Sequence, residues 1–197
     1  VRKDILDLVS KKAEGLKHFG LREAPVLLVI GGSLGARSIN NAMIANLDKL
    51  VSSGVQVIWQ TGRIYFEEMK GKVNNAPDVH VHEFIRRMDL AYAASDVVIS
   101  RAGALSISEL CLAGRPVVFV PSANVAEDHQ TKNAMALVNK DAAVMVKDAD
   151  ATDLMVDKAL ELMADEASRK RLADNIRAMG KPRATEEIVN ELEKLID

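Results

Sequence analysis

Three stretches of the chain put small residues, hydroxyls and carboxylates where a β-strand would run directly into a helix. In "VLLVIGGSLGARSINNA" the apolar run ends at Gly31, Gly32, Ser33, Leu34, Gly35, Ala36 and Arg37 before a helical pattern begins. Glycines let backbone approach a ligand closely, and the following helix would aim unsatisfied N–H groups and its positive dipole end at an anion. The stretch lacks the Lys-Ser/Thr pair of a Walker loop and the G-x-G-x-x-G spacing of a dinucleotide fingerprint. Gly31, Ser33 and Gly35 do match G-x-S-x-G, the spacing of a hydrolase nucleophile elbow. Nucleophilic chemistry at Ser33 is therefore the sharp rival to anion binding, and a glycine-rich connection with no ligand is the plain third reading.

The second stretch, "DVVISRAGALSISELCLAGRPVVFVP", leads a strand into Arg101, Ala102, Gly103 and Ala104, again small residues at a helix start. Glu109 follows about a turn and a half later, where a carboxylate can accept hydrogen bonds from two neighbouring ribose hydroxyls. Taken alone, Glu109 reads as a solvated helix residue. Two anion-ready helix starts at separate strand ends, one followed by an acid, suit a nucleoside diphosphate better than a lone phosphate. The third stretch, "VPSANVAEDHQTKNAMAL", presents Glu127, Asp128, His129, Gln130 and Asn133 at a helix entry. Sugar hydroxyls need such dense donors and acceptors, whereas the plain alternative is a helix N-cap at Asp128.

Other reactive side chains carry less. His80 and His82 share one face of a predicted strand, with no carboxylate or cysteine spaced to complete a metal site. Cys111 sits between Leu110 and Leu112 and reads as a buried, inert thiol, and the eight methionines read as core filler.

The elements that would position these turns alternate along the chain. Strands are expected at 26–30, 55–60, 79–84, 96–100, 116–120 and 142–146, mostly apolar throughout, as in strands covered on both faces. Helices are expected between them at 36–50, 65–72, 88–94, 104–113 and 130–139, then three more at 151–165, 166–179 and 183–197. This order predicts a Rossmann-like, doubly wound α/β fold with a mostly parallel sheet of about six strands and C-terminal helices, all within one domain over 1–197. Ligands of such sheets lie beyond the carboxyl ends of the strands, where all three turns fall.

Composition removes several classes. With 26 Lys plus Arg against 28 Asp plus Glu, the formal charge is -2, which disfavours a nucleic-acid partner. The longest apolar runs fall far below the roughly 18 residues needed to cross a bilayer. The start "VRKDILDLVS" has no apolar segment of a secretory signal, and a lone cysteine allows no intrachain disulfide, as expected in a reducing compartment.

The motifs "GGSLGARSIN", "WQTG", "DLAYAASDVVISRAGALSISEL" and "DHQTKNA", in that order, resemble the C-terminal half of the MurG family. Its members are UDP-N-acetylglucosamine:lipid I N-acetylglucosaminyltransferases of peptidoglycan synthesis. The resemblance implies one half of a two-domain GT-B enzyme, with the UDP-N-acetylglucosamine donor held here and the lipid I acceptor held by an N-terminal domain outside this sequence. It implies that Arg2 lies near the donor and that Gly32 and Ser33 meet its diphosphate. Ile85, in "EFIRRM", would meet uracil through its backbone. Gly103, Ala104, Leu105, Ser106, Ile107, Ser108 and Glu109 would line the phosphates and ribose, with Glu109 on the ribose hydroxyls. His129 and Gln130 would meet the sugar. The chain departs from the family at Ala102, where members often carry serine, so that hydroxyl is lost.

The implied reaction is inverting transfer to the 4-hydroxyl of the muramoyl sugar, with UDP as leaving group and no metal or cofactor. The general base would belong to the N-terminal domain, leaving no catalytic residue here and no transfer by this chain alone. The full-length protein would sit peripherally on the cytoplasmic face of the bacterial inner membrane. Alternatives are another UDP-sugar enzyme of this architecture (a different glycosyltransferase or a UDP-N-acetylglucosamine 2-epimerase), a serine hydrolase using Ser33 with His129, and a nucleotide-binding module without catalysis.

Ser33→Ala separates transferase from hydrolase. As one phosphate ligand beside several backbone donors, Ser33 accounts for roughly tenfold in UDP affinity, read by calorimetry. Covalent labelling of Ser33 by a fluorophosphonate probe would instead establish a nucleophile.

Overall fold

β1 (Val26–Ile30) consists of five apolar residues, all buried, as required of a strand in the middle of a sheet covered on both faces. The computed structural model describes residues 3–122, 128–184 and 189. Five further strands join β1: β2 (Gln56–Gln60), β3 (Val79–His82), β4 (Val97–Ser100), β5 (Val117–Phe119) and β6 (Val144–Met145). All pairings are parallel, and the order is β3-β2-β1-β4-β5-β6. In register, Ile30 stands beside Gln60 on one side and Ser100 on the other. The chain thus leaves β1, β2 and β4 at one shared edge.

Helices cover both faces. α2 (Arg37–Ala45), α3 (Leu47–Ser52) and α4 (Phe66–Lys72) bury Ile39, Met43, Leu50 and Met69 against Leu27, Val29, Val57 and Trp59. α5 (Met88–Ala94), α6 (Ala104–Ala113) and α7 (His129–Val138) bury Leu90, Leu110 and Leu137 against Leu28, Ile30, Ile58 and Val98. The fold is the expected Rossmann-like α/β sheet of six strands.

Several boundaries differ from expectation, each for a local reason. The helix expected over 36–50 breaks at Asn46, whose side-chain amide donates to the Ala42 carbonyl at 2.9 Å and to the Thr152 carbonyl at 2.8 Å. That competition with the helix ladder is typical of asparagine. The last strand shrinks to Val144–Met145, because only β5 pairs with it. β3 stops at His82, leaving Phe84 52% exposed. An unexpected helix, α1 (Lys12–His18), packs across α5, where a Cβ on Gly15 would lie 2.6 Å from the Leu90 carbonyl oxygen.

Beyond β6 a single π turn (Ala151–Met155) feeds α8 (Val156–Ala164), and Asp165 caps α9 (Glu166–Ala178) by accepting the Ser168 N–H at 3.0 Å. The helix expected over 183–197 lies largely outside the described residues.

The α1 region is held by Asp89, whose side chain is 2% exposed. It accepts from Lys11 Nζ at 3.0 Å and from Arg87 Nε and Nη2 at 2.9 Å each, and Lys11 also donates to the Asp4 carbonyl. The Arg87 hydrogen bonds, opposed by burial and aided by Lys11, hold the Asp89 carboxyl far below the usual carboxylate range. A depressed folded pKa contributes stability that is present above the unfolded value and lost as pH falls below it. Asp89→Asn costs about 1–2 kcal/mol at neutral pH, discounted because Arg87 is 47% exposed. Urea unfolding at several pH values checks this: the wild-type advantage narrows as pH drops below about 4. An advantage that stays constant in acid contradicts it.

Candidate functional site

The order of strands places the switch point between β1 and β4: the chain leaves β1 toward α2 on one face and leaves β4 toward α6 on the other. Such divergence opens a crevice at the carboxyl edge. The turn after β1 is pressed against the turn after β2. Gly35 (φ +84) and Gly62 (φ +82) touch, so a Cβ on Gly62 would lie 2.1 Å from the Gly35 nitrogen. Within 31–35 the positive φ angles fall on Gly32 and Gly35, not on Ser33. Ser33 therefore lacks the strained backbone of a nucleophile elbow, which weighs against the hydrolase reading.

α2 opens from Ala36 and α6 from Gly103, both extended, and neither helix receives a side-chain cap. Their first N–H groups thus have no side-chain cap, as holds for every described α-helix except α9. Ser33, Ala104, Leu105 and Ser108 are exposed, whereas Ile107 packs against the core. The Ser108 hydroxyl donates back to the Ala104 carbonyl at 2.9 Å. Tyr92 donates to Glu109 Oε2 at 3.4 Å, fixing one side of that carboxylate. The Ile85 N–H is committed to Gln60 Oε1 at 2.8 Å, so a ring held through Ile85 would meet its carbonyl.

A cleft of about 710 Å³ runs along the carboxyl edge, walled by Gly31, Gly35, Arg37, Arg101, Ser122, Gln130 and Asp148 among others. It brings the first and third turns together and reaches the second through Arg101. Of the expected donor residues that the structure describes, Gln130 is in its wall, whereas Gly32, Ser33, Ile85, Gly103, Ala104, Leu105, Ser106, Ile107, Ser108, Glu109 and His129 are not. His129 is exposed at the start of α7, and Gln130 Oε1 accepts the Ser122 N–H at 3.0 Å. Asp128 occupies the N-cap position in a left-handed conformation without capping through its side chain. Asn133 ties α7 to the second turn by donating to the Ala102 carbonyl at 3.2 Å. Arg2 and Glu127 lie outside the described residues.

Sequence reading missed the polar framework of this edge. Arg101 donates through Nη1 to the Val120 carbonyl at 2.9 Å and to Asp148, and through Nη2 to Ser38 Oγ at 2.8 Å. Ser38 in turn donates to Asp148 at 2.6 Å. On the neighbouring side, Trp59 Nε1 donates to Asn40 Oδ1 at 3.1 Å and Asn40 Nδ2 to the Thr61 carbonyl at 3.0 Å. The only local signal was the presence of polar residues inside otherwise apolar elements.

Elsewhere, burial pushes the pKa of His80 and His82 down and that of the Cys111 thiol up, leaving neutral groups with low reactivity. Among the described residues no cluster of three or more His, Cys, Asp or Glu could hold a metal ion. A second cavity of about 630 Å³ lies at the opposite, amino edge, beside Pro25 and Asp96, which precede β1 and β4.

The sheet and the switch-point cleft define a Rossmann-like domain of the doubly wound α/β class. Residues 26–188 match the glycosyltransferase family 28 C-terminal domain, and the chain belongs to that family. It is 52% identical over its whole length to a UDP-N-acetylglucosamine--N-acetylmuramyl-(pentapeptide) pyrophosphoryl-undecaprenol N-acetylglucosamine transferase of Parabacteroides distasonis, covering 54% of that protein. It is 51% identical over its whole length to the protein of the same name from Cytophaga hutchinsonii, covering 53% of it. The chain thus spans about half the length of the curated relatives it matches. The crystal structure of Acinetobacter baumannii MurG superposes with a TM-score of 0.79 at 28% identity, over 96% of this chain and 55% of that one.

Arg101→Met keeps the stem and removes the guanidinium that joins four segments, with Arg101 only 14% exposed. It lowers unfolding free energy by about 1–3 kcal/mol, measured with urea, and Arg101→Lys recovers only part because an ammonium cannot span the same three acceptors. Unchanged stability in Arg101→Met contradicts a structural role for the network.

Proposed function

We propose that this chain is the donor-binding half of a glycosyltransferase that moves N-acetylglucosamine from UDP-N-acetylglucosamine to lipid I, making lipid II with inversion. The observation that carries this reading is the cleft of about 710 Å³ at the carboxyl edge, walled by the turn after β1 together with Arg101 and Gln130, at the switch point where α2 and α6 diverge. The names of the relatives supply the particular sugar and acceptor.

The chemistry follows from those groups. The diphosphate sits against the backbone of Gly32 and Ser33 and the first turn of α6, from Gly103 through Ser108. Glu109, steadied by Tyr92, accepts the ribose hydroxyls, and the Ile85 backbone meets uracil. His129 and Gln130 face the sugar. As the glycosidic bond breaks, negative charge grows on the UDP oxygen, and N–H groups already in place stabilise it without reorganising. The acceptor site and the general base belong to the other half of the whole protein. Reaction then occurs in the cleft between halves, where holding both substrates together supplies much of the rate. We place the whole protein on the cytoplasmic face of the inner membrane as a peripheral enzyme. Among the described residues no helix is long and apolar enough to cross a membrane.

Calorimetric titration with UDP, UDP-N-acetylglucosamine, UDP-glucose and NAD tests the reading. UDP and UDP-N-acetylglucosamine bind and NAD does not; Glu109→Ala weakens UDP by about 1.5–3 kcal/mol, the scale of charge-assisted hydrogen bonds. Tight NAD binding with no UDP response overturns the assignment, and an unchanged UDP affinity in Glu109→Ala removes that residue from the site.

A further inference from the structure

Gln60 is the last residue of β2, the strand hydrogen-bonded between β1 and β3. The chain leaving β1 carries Gly32, and the chain leaving β3 carries Ile85. The Gln60 side chain, in a residue only 5% exposed, commits both halves of its amide to these two segments. Nε2 donates to the Gly32 carbonyl at 3.1 Å, and Oε1 accepts the Ile85 N–H at 2.8 Å. The partners fix the amide's orientation, because a carbonyl can only accept and an N–H can only donate. Glutamate lacks the donor at neutral pH, lysine lacks the acceptor, methionine lacks both, and asparagine is one methylene too short. Glutamine carries both functions at the reach these two backbone groups require.

We propose that Gln60 is a positioning residue that sets the separation between the turn that holds the diphosphate and the segment that holds the base. The inference rests on the donor-site reading of Gly32, Ser33 and Ile85 given above. A nucleoside diphosphate has a limited span between ring and phosphates, so it gains from both segments only when their separation matches that span. A ligand touching one segment is indifferent to it. Gln60 touches neither ring nor phosphate; it acts through the Gly32 and Ile85 backbone.

The test titrates the chain with UDP, uridine and inorganic pyrophosphate, using the wild type, Gln60→Glu and Gln60→Met, with thermal unfolding to establish that each variant is folded. At about pH 8 both variants weaken UDP about tenfold, while uridine and pyrophosphate each change by less than about threefold. The carboxyl introduced in Gln60→Glu regains a donor on protonation, so its deficit relative to wild type narrows as pH falls to about 4.3, the ordinary glutamate range, whereas that of Gln60→Met persists. Gln60→Met carries no charge, so its deficit separates lost alignment from repulsion of the diphosphate. Wild-type UDP affinity in a folded variant overturns the proposal, as does an equal loss for uridine or pyrophosphate alone or a Gln60→Glu deficit independent of pH. A wild-type chain that binds no UDP overturns the donor-site reading and the proposal with it.

Discussion

β1 is hydrogen-bonded on both sides, to β2 and to β4, and the chain crosses from these neighbours to opposite faces of the sheet. That single constraint determines where a ligand can go. Because β1 and β4 are adjacent while their outgoing helices diverge, the carboxyl edge between them cannot be filled by the chain's own crossovers. The complete burial of Leu27, Leu28 and Val29 makes β1 immovable. The two turns that leave β1 and β4 therefore start from a rigid base, and their helices begin without side-chain caps on either side of one gap.

Apolar packing alone does not place turns to the accuracy that recognition requires. Here buried amides and one guanidinium do so. Gln60 joins the turns after β1 and β3, Asn40 joins α2 to the turn after β2, and Arg101 joins α2 to the ends of β4 and β5 and to Asp148. In a setting of low dielectric such bonds are strong when satisfied and costly when one partner is lost. The consequence is a carboxyl edge in which the backbone donors are preorganised, while the exposed Ser33 and Ala104 remain accessible.

Local pattern carried most of the architecture. Unbroken apolar runs such as Val26–Ile30 announce covered strands, and the small residues after them announce helix starts. What stayed hidden depends on distant partners. The Arg101 network pairs residues 63 and 110 positions apart, which no local window can see. α1 has little apolar periodicity, because only Gly15 and Leu16 are buried within it, and it depends on the close approach of Gly15 to α5. The break at Asn46 rests on a bond to Thr152, again from across the fold. Among the candidate donor residues, Ser33, Gly103 and Gln130 were legible from their turns. Glu109 was legible as a carboxylate a turn and a half into the helix after β4, while Ile85 owes its selection to the family resemblance, because a backbone contact leaves no mark on residue type.

On the proposed function the carboxyl edge, not the amino-edge cavity, holds the nucleoside diphosphate. Backbone amide chemical shifts recorded by NMR during a UDP titration test it most directly. The largest changes are expected at 31–35, at Ile85 and at 103–106. Changes concentrated instead at Lys12, Asp96, Met163 and Arg169, in the wall of the opposite cavity, with the glycine turn unmoved, would contradict it.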